Sequence, residues 1–418
     1  MTIPSKPNPY VGLRPFFATD ARVFFGRDEQ IAELQTILHE TRFLPVVGGS
    51  GSGKSSLVRA GLIPRLGAGF LVGDRDHWVT VTCRPGEAPM NNLATELASA
   101  FGRPDVVDGE DGLEATMRLS LASGAREFVL DHLSPNASLL VLVDQFEELF
   151  AFRGGNDDER LPSEVRAHNA RRRAEAADFV DLLLGLAETR EAPVFVVITM
   201  RSDFLGDCDL FQGLPEAMNK ARYLVPRLSR EQLRQTVEGP ALMVGAKLSS
   251  RLVDRLTNGL GDRQDRLPVL QHALQRTYDD WADRGGAGPI DLEHYEHAGG
   301  LERALAQDAD GALARVNPQH AERVFRALTD TDIGQRRVRR PCRRSALASV
   351  TGLASGEIDL VIDAFRANDR HFLYRARDGE PENPRIDSSH ESLSRQWPTL
   401  AQWVDAERTA RDSFLYIL

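Results

Sequence analysis

The chain has 418 residues, 42% of them hydrophobic and 27% charged, with a formal net charge of -10. This length suggests two to four domains, at about 100–200 residues each. The acidic balance argues against a general attraction to nucleic acid or anionic membranes. No apolar run approaches the roughly 20 residues of a membrane helix, and the N-terminus MTIPSKPNPY lacks the apolar stretch of a secretory signal. The three cysteines, Cys83, Cys208 and Cys342, are too far apart to suggest a disulfide framework or a metal pattern. A reducing, cytoplasmic setting without a membrane partner is expected.

In chain order, the apolar run Phe43–Val47 predicts a buried strand and leads into GGSGSGKSS at 48–56. Gly48, Gly53, Lys54 and Ser55 fill the fixed places of G-x-x-x-x-G-K-[ST], with Gly49, Ser50, Gly51 and Ser52 between them and Ser56 after. Glycines let successive backbone N–H groups converge on phosphate oxygens, and the helix that follows points its positive end at the same anion. Lys54 is expected on the β- and γ-phosphates and the Ser55 hydroxyl on Mg²⁺. Very few of the 51 basic residues are lysine, which gives weight to a lysine at this place.

Strands are further predicted at Trp78–Cys83, Leu139–Val143 and Val194–Thr199, with a short one near Tyr223–Val225. Helical patterns between them give the alternation of a parallel sheet covered by helices. The strand in LLVLVDQFEELF ends in Asp144, where a carboxylate beside the phosphate loop holds Mg²⁺ through water. Glu147 and Glu148 follow within a turn, and either can orient an attacking water; Glu148 is preferred, with Glu147 close behind. A polar loop is expected over Gly154–Glu164 and a long helix over Val165–Glu188. The strand in APVFVVITM ends at Arg201, placed to sense a γ-phosphate. The base-reading N-K-x-D pattern of guanine-specific proteins is missing, since Asn219-Lys220 is followed by Arg222 in the fourth place. Adenine is therefore the default, as ATP or ADP.

After Ser229 the strand signals fade. A serine-capped helix is expected to end at Gly239-Pro240, followed by helices at Ser249–Thr257, Leu267–Trp281 and Leu301–Arg315. From Pro318 the pattern is a helix, an Arg-rich extended stretch, a helix at Glu357–Ala367, a strand at Phe372–Ala376, a turn at Asp378–Asn383 and a final helical pair. That order suggests a small winged-helix unit.

The ordered series NPYVGLRPF, FFGRDE, FLPVVGGSGSGKSSLVRAGLIPRL, LLVLVDQFEELF, VFVVITMRSDF, LPVLQHAL and SHESLSRQWPTLAQWVD resembles the STAND-class P-loop NTPases, an AAA+-related signalling branch, and within it the bacterial novel STAND NTPases. The resemblance implies an α/β P-loop NTPase core with a parallel sheet over residues 1–228, including an adenine-binding segment at about 9–30. A helical lid domain over 229–316 and a winged-helix domain over 317–418 would follow. It also implies that Phe25, Gly26 and Arg27 lie against the base, that Pro268 packs near adenine, and that His390 contacts the β-phosphate of ADP. The family's glycine before the helical proline is missing, as Arg266-Leu267 stand there. The function implied is an ATP/ADP switch in signal transduction or bacterial defence, with slow hydrolysis and self-association in the ATP state. Sensor and effector domains typical of such proteins have no counterpart in this sequence, so it reads either as a core cut from a longer protein or as a natural stand-alone switch, and the apolar ending RDSFLYIL leans toward the cut.

Two basic clusters, Arg171–Arg173 and RRVRRPCRR at 336–344, leave a competing reading open: a nucleotide-gated regulator that binds DNA through the winged helix, by phosphate contacts first. Nucleic acid is nevertheless not the expected partner of a chain this acidic. A constitutive remodelling ATPase is a third reading.

Overall fold

The computed structural model describes residues 7–67, 77–102, 122–152, 163–260, 266–331, 337–367, 370–375, 382–388 and 392–406. The chain divides into two compact units. One comprises Phe17–Ala21 and Arg27–Arg227; the other comprises the residues up to Phe16, Arg22–Gly26 and Leu228 onward.

The first unit is built on a parallel sheet of strands β1 (Phe43–Gly48), β2 (His77–Cys83), β3 (Ala137–Val143), β4 (Val194–Arg201) and β5 (Tyr223–Leu224), in the order β2-β3-β4-β1-β5. The expected strands are all present. Every residue of β1 and β3 is buried. Leu139, Val141 and Val143 face one apolar cluster together with Val194, Val196 and Ile198, while Leu140, Leu142 and Val197 are buried on the opposite face. This is why these strands read as unbroken apolar runs. Pro45 is tolerated within β1 for a local reason. Arg42 O accepts from Val196 N of β4 and Val47 O from Val225 N beyond β5, so bonding alternates between neighbours along β1 and the missing Pro45 donor faces the β5 side. There β5 pairs only with Val46 and Val47.

Helix α1 (Asp28–Thr41) precedes β1. After the phosphate loop the chain is helical in three pieces: α2 (Lys54–Ser56), a π-helical stretch Leu57–Leu62, and α3 (Ile63–Leu66). Helices α4 (Pro89–Ala100), α5 (Ala122–His132), α6 (Ser163–Glu188) and α7 (Leu214–Ala221) are the further α-helices among the described residues of this unit. Helix α6 starts just before the position expected from the sequence, and most of the expected loop at 154–164 lies outside the described residues.

The second unit is mainly helical: α8 (Arg230–Met243), α9 (Ser250–Leu260), α10 (Leu267–Asp283), α11 (Leu292–His297), α12 (Gly300–Leu313) and α13 (Pro318–Ala327). Helix α8 begins with a capping box, in which Ser229 Oγ accepts from Gln232 N at 3.2 Å and Ser229 N donates to Gln232 Oε1 at 2.9 Å. It does not stop at Gly239-Pro240 but runs on to Met243. Val237, Pro240 and Ala241 are buried, and this packing outweighs the one hydrogen bond that Pro240 removes. A hairpin of β6 (Thr329–Thr331) and β7 (Arg337–Arg339) follows, then β8 (Cys342–Arg343), α14 (Arg344–Thr351), α15 (Ser355–Arg366), β9 (Leu373–Arg375), β10 (Arg385–Ser388) and α16 (Ser392–Gln396). Strands β8, β10 and β9 form an antiparallel sheet with β10 central. The turn expected at Asp378–Asn383 lies largely outside the described residues. Phe325, Phe365, Phe372 and Trp397 form an aromatic knot; Phe325 and Trp397 meet edge-to-face at 5.3 Å. Trp397 Nε1 donates to Asp310 Oδ1 at 2.7 Å.

Candidate nucleotide site

The phosphate loop connects β1 to α2. Gly51 and Gly53 adopt φ of 75° and 88°, the left-handed region that favours glycine. A Cβ on Gly48 would lie 2.8 Å from Ser52 Oγ. Lys54 Nζ reaches back over the loop and donates to the carbonyls of Gly48 and Gly49 at 2.9 and 2.8 Å. The Ser52 hydroxyl is buried without a hydrogen-bond partner among the described residues.

The sheet order places β3 and β1 on either side of β4, so their C-terminal tips converge beside the loop. Asp144, just past β3, is 1% exposed. Its Oδ1 accepts from Ser55 Oγ and from Thr199 Oγ1, each at 2.6 Å. Its Oδ2 pairs with Arg59 Nη2 at 2.9 Å. Burial is the largest influence on this carboxyl and opposes ionisation, but Arg59, Arg84 and the two hydroxyls outweigh it and hold its pKa below the usual range. Gln145 takes φ 60° and donates its N–H to Thr199 Oγ1 at 3.1 Å, which turns the chain sharply after Asp144.

The two glutamates face different ways. Glu147 Oε2 accepts from Arg201 N at 3.3 Å. Burial raises its pKa, and the nearby Lys54 charge acts in the opposite sense. Glu148 Oε2 instead accepts from Gly86 N at 2.9 Å, in the turn after β2. Arg201 ends β4 in register with Gly48; its guanidinium pairs with Asp203 and lies 5.8 Å from the Phe204 ring centre.

Arg27 is buried and donates to Pro226 O at 2.8 Å and Ser52 O at 3.3 Å, tying the phosphate loop to the exit of β5. Burial lowers its pKa to about 10, against the raising influence of Tyr223, so it stays charged at neutral pH. Phe25 and Gly26 belong to the other unit. Thr236 Oγ1 of α8 donates to Phe25 O at 3.1 Å, and the Phe25 ring lies against Gly239. Pro268 is in the first turn of α10. His390 lies outside the described residues. Sequence reading missed Thr199 and Arg59. Thr199 is the one hydroxyl-bearing residue within the apolar VFVVITM, and Arg59 is one helical turn after Ser55; both were signals within reach.

Ser55 and Asp144 bring together one hydroxyl and one carboxylate, hard oxygens of the kind that could hold Mg²⁺. Among the described residues no group of three or more His, Cys, Asp or Glu could hold a metal. The unpartnered Ser52 hydroxyl and Lys54 supply a donor and a cation for an anion at the loop.

The sequence model of the family described as Novel STAND NTPase 1 matches residues 9–413. The chain belongs to that family. This STAND NTPase is accordingly a nucleotide-binding protein whose phosphate loop and acidic strand end meet as the fold requires. No curated protein matches it. Among solved structures it is similar to the Aeropyrum pernix ORC1 protein in complex with DNA, at 14% identity and a TM-score of 0.47, over 91% of this chain and 95% of that one. It is also similar to the Aeropyrum pernix ORC2 protein in ADPNP-ADP complexes, at 11% identity and 0.49, over 91% and 94%. A third is the Thermotoga maritima RuvB Holliday junction branch migration motor, at 13% identity and 0.37, over 92% and 97%. No single described helix is long and apolar enough to cross a membrane.

Proposed function

We propose that the chain is an ATP/ADP switch: it binds a Mg-nucleotide on Gly48–Ser56, hydrolyses ATP slowly, and changes its self-association with the nucleotide state, in signal transduction or bacterial defence. The observation that carries the nucleotide reading is the 2.6 Å bond from Ser55 to Asp144. It joins the phosphate-loop helix to the acidic strand end that would hold Mg²⁺. In this reading Lys54 leaves the loop carbonyls for the β- and γ-phosphates. Arg201 neutralises γ-phosphate charge, and Glu147 orients the attacking water. Glu147 is preferred to Glu148 because it accepts from the N–H of Arg201 at the tip of β4 and lies within the influence of the Lys54 charge, whereas Glu148 turns to Gly86 beyond β2. Phe25, Gly26, Arg27, Pro268 and His390 are proposed around the base and the β-phosphate, and bound Mg²⁺ would neutralise phosphate charge.

Three functional domains are proposed, at 1–228, 229–316 and 317–418. The helices α13, α14 and α15, with β8 just before α14 and its antiparallel partners β9 and β10 after α15, support a winged helix for the last. Three of the described arginines in the 336–344 cluster are held by partners within the chain, which weighs against the DNA reading. Arg339 pairs with Asp387 at 3.0 Å, Arg344 with Asp359, and Arg343 donates to Asn383 O at 3.2 Å.

The test is to purify the chain without added nucleotide, denature it and identify what is released. Stoichiometric ADP is the expected result; an empty site with fast steady ATP turnover would replace the switch by a remodelling ATPase. At about 100 times its dissociation constant, ADP with Mg²⁺ stabilises the folded state by roughly 2.7 kcal/mol. Melting should rise accordingly in the unaltered chain and not in Lys54→Ala. An undiminished rise in that variant would place the nucleotide elsewhere.

A further inference from the structure

We infer that Arg59 is a built-in counter-cation of the Asp144 carboxylate and that it sets how strongly nucleotide binding depends on Mg²⁺. The inference rests on the nucleotide reading above. Arg59 follows Ser55 by four residues, so both project from the same face of the helix toward Asp144. Here the helix is π-helical, with Ile63 N–H bonded to Val58 O, a widening often found at functional sites. Arg59 Nη2 is 2.9 Å from Asp144 Oδ2, and its side chain is 15% exposed. Its guanidinium carbon also lies 5.6 Å from the Phe17 ring centre, within cation–π range. Its Nε is buried with no hydrogen-bond partner among the described residues.

Both oxygens of Asp144 are therefore engaged by the chain's own groups: two hydroxyls on Oδ1 and one guanidinium on Oδ2. A hydrated divalent cation that bonds this carboxylate through water must share Oδ2 with a positive charge or displace it. The consequence runs in two directions. Arg59 weakens the hold of Asp144 on the metal. It also cancels a buried negative charge that would otherwise repel the phosphates of a nucleotide arriving without metal. ADP and Mg²⁺ should thus bind with weak mutual dependence in the native chain, and with strong dependence once Arg59 is neutral.

The experiment measures ADP affinity by calorimetry on the full chain, with divalent cation chelated and then across a Mg²⁺ titration. The ratio of the two affinities is the coupling factor, which by linkage is also the effect of ADP on Mg²⁺ affinity. Arg59→Gln should raise that factor about tenfold or more, chiefly by weakening ADP binding under chelation. Arg59→Lys, which keeps the charge, should stay close to the native chain. Melting curves verify folding. Should Arg59→Gln not fold, Phe17→Ala releases the outer face of the guanidinium and should move the coupling the same way by a smaller factor. Equal coupling in the native chain and in the folded variant overturns the inference alone. Absence of ADP binding by the native chain at every Mg²⁺ level overturns the nucleotide reading itself.

Discussion

At the residue scale, Glu147 and Glu148 show how neighbouring carboxylates acquire different chemistry. A short 3-10 turn, Phe146–Phe152, sends the first to the N–H of Arg201 and the second to the N–H of Gly86. Glu147→Gln should lower the ATP turnover rate by about 10²–10⁴-fold while leaving ADP affinity within a few-fold. Glu148→Gln should cost about 1 kcal/mol of stability through the bond to Gly86 and leave much of the turnover. The reverse ranking in steady-state assays would return the water-orienting role to Glu148. A second titratable group is His272, fully buried beside Asp308, with Nε2 3.6 Å from Oδ2. Burial pulls its pKa from the ordinary 6.5 to about 4, although Asp308 pulls the other way. The unfolded chain therefore takes up this proton first. The stability it contributes is complete above about pH 6.5 and is lost as pH falls through about 4. Urea midpoints between pH 7 and 4 should fall less steeply in His272→Gln than in the native chain; parallel slopes would remove His272 as a cause.

At the scale of elements, the apolar runs of β3 and β4, the phosphate loop and helix α6 were legible in the sequence because each is a local pattern whose period or composition has one reading. What was not legible is non-local. The partners of Asp144 lie 89 and 55 residues away, at Ser55 and Thr199, and the choice between two adjacent glutamates depends on the turn that carries them. The end of α8 was misread because Pro240 is a breaker only when packing does not hold the last turn. Strand β10 was missed because RIDS has no apolar alternation of note; its partners β8 and β9 supply the pairing. Gly26 illustrates packing that fixes a residue type. It adopts φ 81°, and a Cβ would lie 2.3 Å from the backbone oxygen of Gln232. Gly26→Ala should destabilise the helical unit by about 1–3 kcal/mol, since both the left-handed conformation and the contact with α8 oppose a side chain. An unchanged denaturation midpoint would show that the segment is not held against α8 in solution.

At the scale of the whole molecule, the chain forms two compact units and passes between them after Phe16, Ala21, Gly26 and Arg227. Scanning calorimetry should resolve two transitions, with ADP and Mg²⁺ raising most the one that belongs to the phosphate-loop unit. A single transition that shifts as one would show that the units unfold as one block. The most N-terminal described residues do not belong to the unit that comes next in sequence. Tyr10 donates its hydroxyl to Val237 O at 2.7 Å and Asn8 bonds Asp279 at 2.8 Å, across 227 and 271 residues. During synthesis these residues leave the ribosome long before their partners exist. The phosphate-loop unit, whose residues run almost continuously from Arg27 to Arg227, can fold while translation proceeds. The leading segment must wait, at about 5–20 residues per second, until helices α8 and α10 emerge. Its capture is then a late, long-range closure, so a nascent chain stalled just after residue 227 has cleared the ribosome should carry a folded phosphate-binding unit with a protease-sensitive leader.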